Sequence, residues 1–171
     1  MVPLKLFEQH CRDAYPSLYR TAVWITGSRD LAEDALQEAL LKGYQALATL
    51  RDLEHLGGWL HRITVREALG VLRAKKIRQT RAVAWDESLA ATSADQGDEA
   101  ERMEQRQAIW RGLEELSPQQ RTAFILCAVE ERSIHEAAEA MEISEGTVKT
   151  HLDRGRDKLR QLLVQYKESY R

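Results

Sequence analysis

Residues 133–160 read SIHEAAEAMEISEGTVKTHLDRGRDKLR, and their local physics decides the fold of the C-terminal half. Ser133 followed by Glu136 is a capping box, in which the hydroxyl takes a backbone N–H of the first turn and the carboxylate reaches back to the cap. The spacing predicts a short helix from Ile134 to about Met141 with Ile134, Ala137, Ala138 and Met141 on its buried stripe. Its small alanines allow a second helix to pack closely. Glu142, Ile143 and Ser144 then form a tight turn, with Ile143 directed inward and Ser144 capping the next helix. That second helix is expected to carry Val148, Leu152, Leu159, Leu162 and Leu163 inward and Lys149, Thr150, His151, Arg154, Arg156 and Lys158 on the opposite face.

Two short helices meeting at a tight turn, the second with a basic face, make a DNA-reading helix-turn-helix, whose second helix enters the major groove by its N-terminal part. Base edges would be met by Glu145, Thr147, Lys149, Thr150 and His151, the first backbone amides stand where a phosphate would lie, and Ser144 at the cap belongs to the same DNA-facing set. Arg154, Arg156, Lys158 and Arg160 suit phosphates, which position a protein without reading sequence. The plainer reading is a helical hairpin with a solvated basic face. Cap, turn, small-residue packing and basic face coincide at one place, which favours the DNA reading.

Two families share this layout. Thr147-Val148-Lys149-Thr150-His151 resembles the recognition helix of LuxR-type response-regulator output domains. The longer stretch resembles region 4 of the extracytoplasmic-function group of bacterial sigma factors. It opens on Leu116-Ser117-Pro118-Gln119-Gln120-Arg121 and closes on Arg154-Gly155-Arg156-Asp157-Lys158-Leu159. Ser117 as cap and Pro118 at the first helical position also make physical sense as a helix start, so a four-helical C-terminal domain is expected.

The chain has 171 residues, 43% hydrophobic and 30% charged, with three prolines and nine glycines, which fits one ordinary or two small helical domains. Cys11 and Cys127 stand in no metal-ligand spacing, so no disulfide framework, zinc site or other metal is indicated. No apolar run approaches the roughly 18 residues that span a bilayer, and Glu8, Arg12 and Asp13 fall where a signal peptide would be apolar. Reduced thiols, a cytoplasmic location and no membrane insertion are the expectation.

A net charge of −2 looks wrong for a nucleic-acid binder until it is divided along the chain. Between Arg62 and Arg81 the basic residues are Arg62, Arg66, Arg73, Lys75, Lys76, Arg78 and Arg81, against Glu67 alone. Asp86, Glu87, Asp95, Asp98, Glu99, Glu101 and Glu104 follow, interrupted by Arg102. The acidic block hides the basic one. Its Ala-, Ser-, Thr-, Asp- and Gly-rich centre reads as a flexible tether, placing an N-terminal domain at 1–81, a linker at 82–102 and a C-terminal domain at 103–171.

The N-terminal part shows helical periods and no strand pattern. Leu4, Phe7, Cys11, Tyr15, Leu18, Ala22 and Ile25 give a first amphipathic segment that Pro16 is expected to kink or divide. A second helix should start near Ser28 to Asp30, with Asp30 and Glu33 as a capping pair, and run to about Leu47. Leu31, Ala35, Leu36, Ala39, Leu40, Tyr44 and Leu47 would be buried, leaving Asp34, Gln37, Glu38 and Leu41 on another face. A leucine among acids and an amide suits a protein-binding stripe, though a solvated face has the same pattern.

Residues 27–39, from Gly27-Ser28-Arg29-Asp30 to Glu38-Ala39, are similar to the sigma region 2 segment that grips the clamp helices of RNA polymerase. The resemblance implies that Asp34, Gln37, Glu38 and Leu41 face core RNA polymerase, acid against a basic surface. A LuxR-type response regulator would instead need a receiver of alternating strands and helices, which the first eighty residues do not provide.

Leu50 to Gly58 reads as a loop, with Trp59-Leu60-His61-Arg62-Ile63 starting the next helix. The resemblance places this helix at the promoter's minus-ten element, the preceding loop holding a base flipped out of the strand. Such a pocket offsets the unstacking energy of melting when basic groups also hold the single-strand backbone. Arg62, Arg66, Arg73, Lys75 and Lys76 are the backbone candidates, and Trp59 serves either as a core residue or as a stacking platform. Arg66 and Gly70 stand where family members often carry Asn and Asp, and His151 where Arg is frequent, so neither promoter sequence carries over.

The expectation is therefore an all-α protein of two small helical domains joined by a flexible acidic linker, reading as a sigma factor. It would bind core RNA polymerase and promoter DNA without cofactor or covalent chemistry. By resemblance it would respond to a stress or signal and be held by an anti-sigma factor. The alternatives are an autonomous LuxR-like regulator binding duplex operators, or an interaction protein that antagonises another regulator. The five histidines are scattered, with no nucleophile, metal or phosphate-loop constellation around them.

Overall fold

The computed structural model describes residues 4–49, 55–78, 107 and 109–169, all in helices, turns or short connections. The linker assigned to 82–102 lies outside the described residues.

Helix α1 spans Leu4–Thr26 and Pro16 does not divide it. Its buried stripe continues across the proline from Phe7 to Leu18, Ala22 and Ile25, and that packing holds the axis. Gly27 ends it with φ 66°, its N–H on the Val23 carbonyl at 2.8 Å, a left-handed cap that glycine adopts without steric cost. Ser28 then caps α2 (Arg29–Gln45) by accepting from the Leu31 N–H, so the Asp30–Glu33 pair expected to start this helix does not do so.

Helix α2 buries Ala32, Ala35, Leu36, Ala39 and Gly43. Tyr44, expected in the core, is 53% exposed. The inward position belongs to Gly43, where an added Cβ would come 3.0 Å from Leu60 Cδ1. The helices approach closely there, and the ring one residue on is turned out. Leu47 is buried as expected, but in a 3-10 turn (Leu47–Thr49) beyond the helix.

Helix α3 runs Leu56–Arg78 and begins three residues before Trp59, so Gly57 and Gly58 lie in its first turn rather than in a loop. Leu56, 1% exposed, anchors that turn among Phe7 and Leu47, with Trp59 half-buried against them. Gly57 lets the His10 ring come close; a Cβ would sit 3.4 Å from it.

In the second half, α4 (residues 109–114) precedes α5 (Pro118–Phe124). Ser117 and Gln120 cap α5 reciprocally, Gln120 N–H on the hydroxyl at 3.3 Å and Ser117 N–H on the amide oxygen at 3.2 Å. A π-helical turn, Ile125–Val129, widens the chain after α5 and delivers Glu130 at its end. Helix α6 (Ile134–Met141) and α7 (Glu145–Ser169) complete the domain, giving four helices among the described residues besides the π turn. Arg121 is buried in α5, and burial pulls its guanidinium down to about 10 despite the Glu114 charge. Gly155 allows α7 to approach the Gln120 carbonyl; a Cβ there would lie 3.4 Å away.

The inward stripe of α7 stops early. Val148 and Leu152 are buried, Leu159 and Leu162 are half-buried, and Leu163, expected inward, is exposed. Past Leu159 the helix borders an apolar groove of about 880 Å³ lined by Trp24, Leu113, Phe124, Val129, Leu159 and Leu163 among others.

The two halves are packed together: α3 lies on α6 and α1 on α5. Their apolar side chains form one cluster that includes Ile25, Val65 and Leu69 from one side and Leu126, Ala137 and Met141 from the other. Trp24 and Trp110 meet across it with ring centroids 5.2 Å apart at 58°. Ala140, absent from the stripe expected for α6, is buried in this contact and borders a cleft with Gly58, His61 and Arg62. Among the described residues no helix is long and apolar enough to cross a membrane.

Candidate nucleic-acid interface

The helix-turn-helix is set by its caps. Ser133 accepts from the Glu136 N–H at 3.1 Å, and Glu136 Oε2 accepts from the Ser133 N–H at 2.9 Å and its hydroxyl at 2.8 Å. These bonds to the charged carboxylate hold Glu136 below the usual carboxylate range. Glu142 closes α6 in the left-handed region, φ 55° and ψ 44°, with its N–H on the Ala138 carbonyl. Ile143 is half-buried against the core, and Ser144 caps α7 by accepting from the Thr147 N–H at 3.1 Å.

With Val148 and Leu152 locked inward, the start of α7 presents a defined set of groups. Glu145, Thr147, Lys149, Thr150, Arg154 and Arg156 are exposed. Two hydroxyls are already engaged: Thr147 with Ser144 Oγ at 2.8 Å and Thr150 with the Gly146 carbonyl at 2.9 Å. Glu145 Oε1 lies 3.2 Å from His135 Nδ1. Lys149 and Arg154 therefore stand out as the extended groups of this face. His151, expected on the open face, is half-buried because it leans toward the packed side, its Nδ1 buried without a partner among the described residues. That burial, and then the nearby Arg154 charge, lowers its pKa and favours neutral imidazole. Lys158 is held by Glu115, to whose backbone carbonyl it donates.

The α3 candidates divide by helical geometry. At 3.6 residues per turn Arg62, Arg66, Arg73 and Lys76 share one stripe, whereas Lys75 projects from the other side. Arg73 and Lys76 are exposed. Arg62 and Arg66 are taken up by α6: Arg62 Nη1 lies 3.5 Å from Glu139 Oε2, Arg66 Nη1 lies 3.2 Å from Glu142 Oε1, and Arg66 Nη2 donates to the Glu139 carbonyl at 3.0 Å. Beside them His61 Nε2 is 2.7 Å from Glu130 Oε2, and the Thr21 hydroxyl donates to the same carboxylate. Burial alone would raise the Glu130 carboxyl; the hydrogen bond and charge of His61, with Thr21 and Arg132, hold it below its ordinary value.

On α2, Asp34, Gln37, Glu38 and Leu41 are all exposed, Leu41 at 50%. Tyr44, one turn beyond Leu41, extends the stripe. Its i+3 spacing from Leu41 was visible in the sequence, but the same residue also fitted the buried period. Lys42 ties the stripe to α3 through Glu38 at 3.5 Å and Glu67 at 2.8 Å.

A chain with an exposed acidic and apolar stripe on one helical domain and a helix-turn-helix on the other has the organisation of the sigma-70 family. Residues 11–77 match the model of sigma-70 region 2, and residues 106–159 that of sigma-70 region 4. The ECF RNA polymerase sigma factor SigM of Mycobacterium tuberculosis is 31% identical over 157 residues, covering 92% of this chain and 76% of that one. The RNA polymerase sigma-E factor of Streptomyces coelicolor is 30% identical over 158 residues, covering 92% and 86%. Among solved structures, the sigma factor RpoE of Bartonella quintana, in complex with the anti-sigma factor NepR, superposes with a TM-score of 0.71 at 26% identity. That likeness covers 94% of this chain and 98% of that one. The chain belongs to the extracytoplasmic-function sigma factors, which bind core RNA polymerase and direct promoter-specific initiation of transcription.

Proposed function

We propose that three surfaces divide this work. The α2 stripe of Asp34, Gln37, Glu38 and Leu41, extended by Tyr44, docks on core polymerase. The α3 stripe of Arg62, Arg66, Arg73 and Lys76 holds the minus-ten strand, with Lys75 outside it. The start of α7 enters the major groove at the minus-thirty-five element, Lys149 and the exposed edge of the half-buried His151 at base edges and Ser144, Arg154 and Arg156 at phosphates.

The observation that carries this reading is the α2 stripe. Leu41 and Tyr44, half or more exposed, continue the line of Asp34, Gln37 and Glu38, so acids and two large apolar groups stand together on one open face of α2. The chain carries out no covalent chemistry of its own, works where polymerase is, in the cytoplasm, and is held by an anti-sigma protein, as the Bartonella relative is in its complex.

The test is gel filtration of the chain with core RNA polymerase, then run-off transcription from a promoter library. Co-elution with promoter-dependent transcripts is expected. Tight duplex binding without co-elution would replace this reading by the autonomous regulator, and co-elution without transcripts by an antagonist.

A further inference from the structure

A cavity of about 370 Å³ lies where α1 meets the π-helical turn, and none of its lining residues belongs to the three surfaces assigned above. Small-molecule sites run from about 300 to 1,000 Å³, so its volume suits one compact ligand. Arg20, Thr21 and Trp24, spaced to share one face of α1, form one wall. His61 of α3, with Glu130 and Arg132 beyond the π turn, forms the other. The backbone there is bent to that end. After the π turn Glu131 takes the left-handed region, φ 54°, and the Arg132 N–H returns to the Leu126 carbonyl at 2.8 Å. Glu130 and Arg132 thereby both line the cavity, while Glu131 between them is exposed. A π turn and a left-handed non-glycine residue both depart from the favoured backbone, and both recur at functional sites.

The charges in the cavity do not cancel. Glu130 is its one acid, and both carboxylate oxygens are engaged: Oε2 lies 2.7 Å from His61 Nε2, and the Thr21 hydroxyl donates to Oε1. Against it stand two guanidinium groups. Arg20 is exposed. Arg132 reaches Glu136 through Nη1 at 3.5 Å, a pair one helical turn apart, while its Nε–H is buried and has no acceptor among the described residues. A buried donor without an acceptor is costly, and an anion in the cavity would supply one. Guanidinium groups favour phosphate oxygens, which accept from two N–H groups at once. Trp24 adds a different contact. Its half-buried indole meets Trp110 on one side and lines the cavity as well, offering a surface on which a planar ring can stack.

We propose that this cavity binds a small nucleoside phosphate, its phosphate held between Arg20 and Arg132 and its base against Trp24. Binding involves no covalent step. The walls come from both halves of the chain, so a ligand that bridges them stabilises the folded protein by mass action. Melting temperature therefore reports occupancy.

The experiment titrates the full chain with GMP, AMP, guanosine and inorganic pyrophosphate by isothermal calorimetry and follows melting by circular dichroism. GMP or AMP should bind saturably at one equivalent and raise the melting temperature by about 5–10 °C at roughly 100 times its Kd. Guanosine, which lacks the phosphate, and pyrophosphate, which lacks the ring, should each bind on the order of tenfold more weakly or less. R20A and R132Q should each weaken the nucleotide about tenfold or more, and R12A, exposed on α1 outside the cavity, should stay within about 2-fold of the parent. Arg20 is exposed, so R20A keeps the fold and decides the matter even if R132Q does not fold. Absence of saturable binding by either nucleotide up to about 1 mM overturns the proposal. Undiminished binding in R20A overturns it too, by placing the phosphate on the DNA-facing cations instead. Pyrophosphate binding as tightly as GMP overturns it by removing the ring from Trp24.

Discussion

Ser144 separates folding from DNA recognition at a single position. Its hydroxyl caps the helix proposed to enter the groove, accepting from the Thr147 N–H at 3.1 Å and pairing with the Thr147 hydroxyl at 2.8 Å. Ser144→Ala removes one of the few partners available to the first four N–H groups of α7, a loss of about 1 kcal/mol (range about 0.5–2). For a unit of this size that lowers the melting temperature by about 2–4 °C. Ser144→Asp keeps an acceptor at the cap and adds charge complementary to the helix dipole, so stability should be held or slightly raised. The same charge stands where a phosphate is proposed to lie. At about 7 Å in water one such pair repels by about 0.6 kcal/mol, and by more as water is excluded, so duplex affinity should fall on the order of 3- to 10-fold at low salt. The steepness of its salt dependence should fall by about one unit as well. Melting by circular dichroism and fluorescence anisotropy on a minus-thirty-five duplex between 50 and 200 mM salt, about the range over which such dependences are resolved, check both arms. The reasoning is refuted if Ser144→Asp binds DNA like the parent, which would take the start of α7 away from phosphates. A melting point unchanged in Ser144→Ala would remove the cap from the stability of α7.

Charge reversal of Asp34 and Glu38 to Lys should abolish co-elution with core polymerase while leaving the circular dichroism spectrum unchanged, since both side chains are exposed; unaltered co-elution would remove the α2 assignment. Leu41→Ser with Tyr44→Ser should weaken the same association about tenfold or more with little effect on melting, because both residues are at least half exposed. Lys149→Ala and His151→Ala should shift preference among promoters in the run-off library, whereas Arg156→Ala should weaken all promoters alike; a uniform loss from the first two would place them on phosphates instead. The Glu130 carboxyl, held below its ordinary 4.5, stabilises the packed arrangement fully above about pH 4.5, and this contribution is lost as pH falls through the lowered value. Scattering from about pH 6 to 3 should show the parent expanding at the acid end and Glu130→Gln expanding at a higher pH than the parent; superimposable profiles would deny Glu130 that role.

Where local chemistry closes on itself, the fold was legible. The pairs Ser133–Glu136, Ser144–Thr147 and Ser117–Gln120 each join neighbours three residues apart, and each starts a helix within a residue of its expected place. What was not legible depends on a second helix. The period of α2 offers Gly43 and Tyr44 as adjacent inward candidates, and only the approach of Leu60 decides for the glycine. Two glycines read as a loop at 57–58, but Leu56 in the core and the His10 ring over Gly57 extend α3 back through them. Leu163 fits the stripe of α7 and is exposed because α7 there borders an open groove.

The candidate site divides along the same line. Exposure of Asp34, Gln37, Glu38 and Leu41, and of most of the α7 face, follows from amphipathic period alone, because the buried side of each helix fixes the other side. The state of Arg62 and Arg66 does not. A basic stripe encodes the sign of its partner but not its identity, and Glu139, whose carbonyl Arg66 holds, is 73 positions away in sequence. Glu139 on α6 and Glu142 at its C-cap were visible as acids, yet nothing local distinguishes a solvated carboxylate from one that seats an arginine. That degeneracy has a functional consequence. Any surface that binds phosphate through exposed guanidinium groups will also bind carboxylates displayed at similar spacing on the same chain, where tethering supplies a high effective concentration. In this chain the ambiguity falls on Arg62 and Arg66, whose guanidinium groups face Glu139 at 3.5 Å and Glu142 at 3.2 Å.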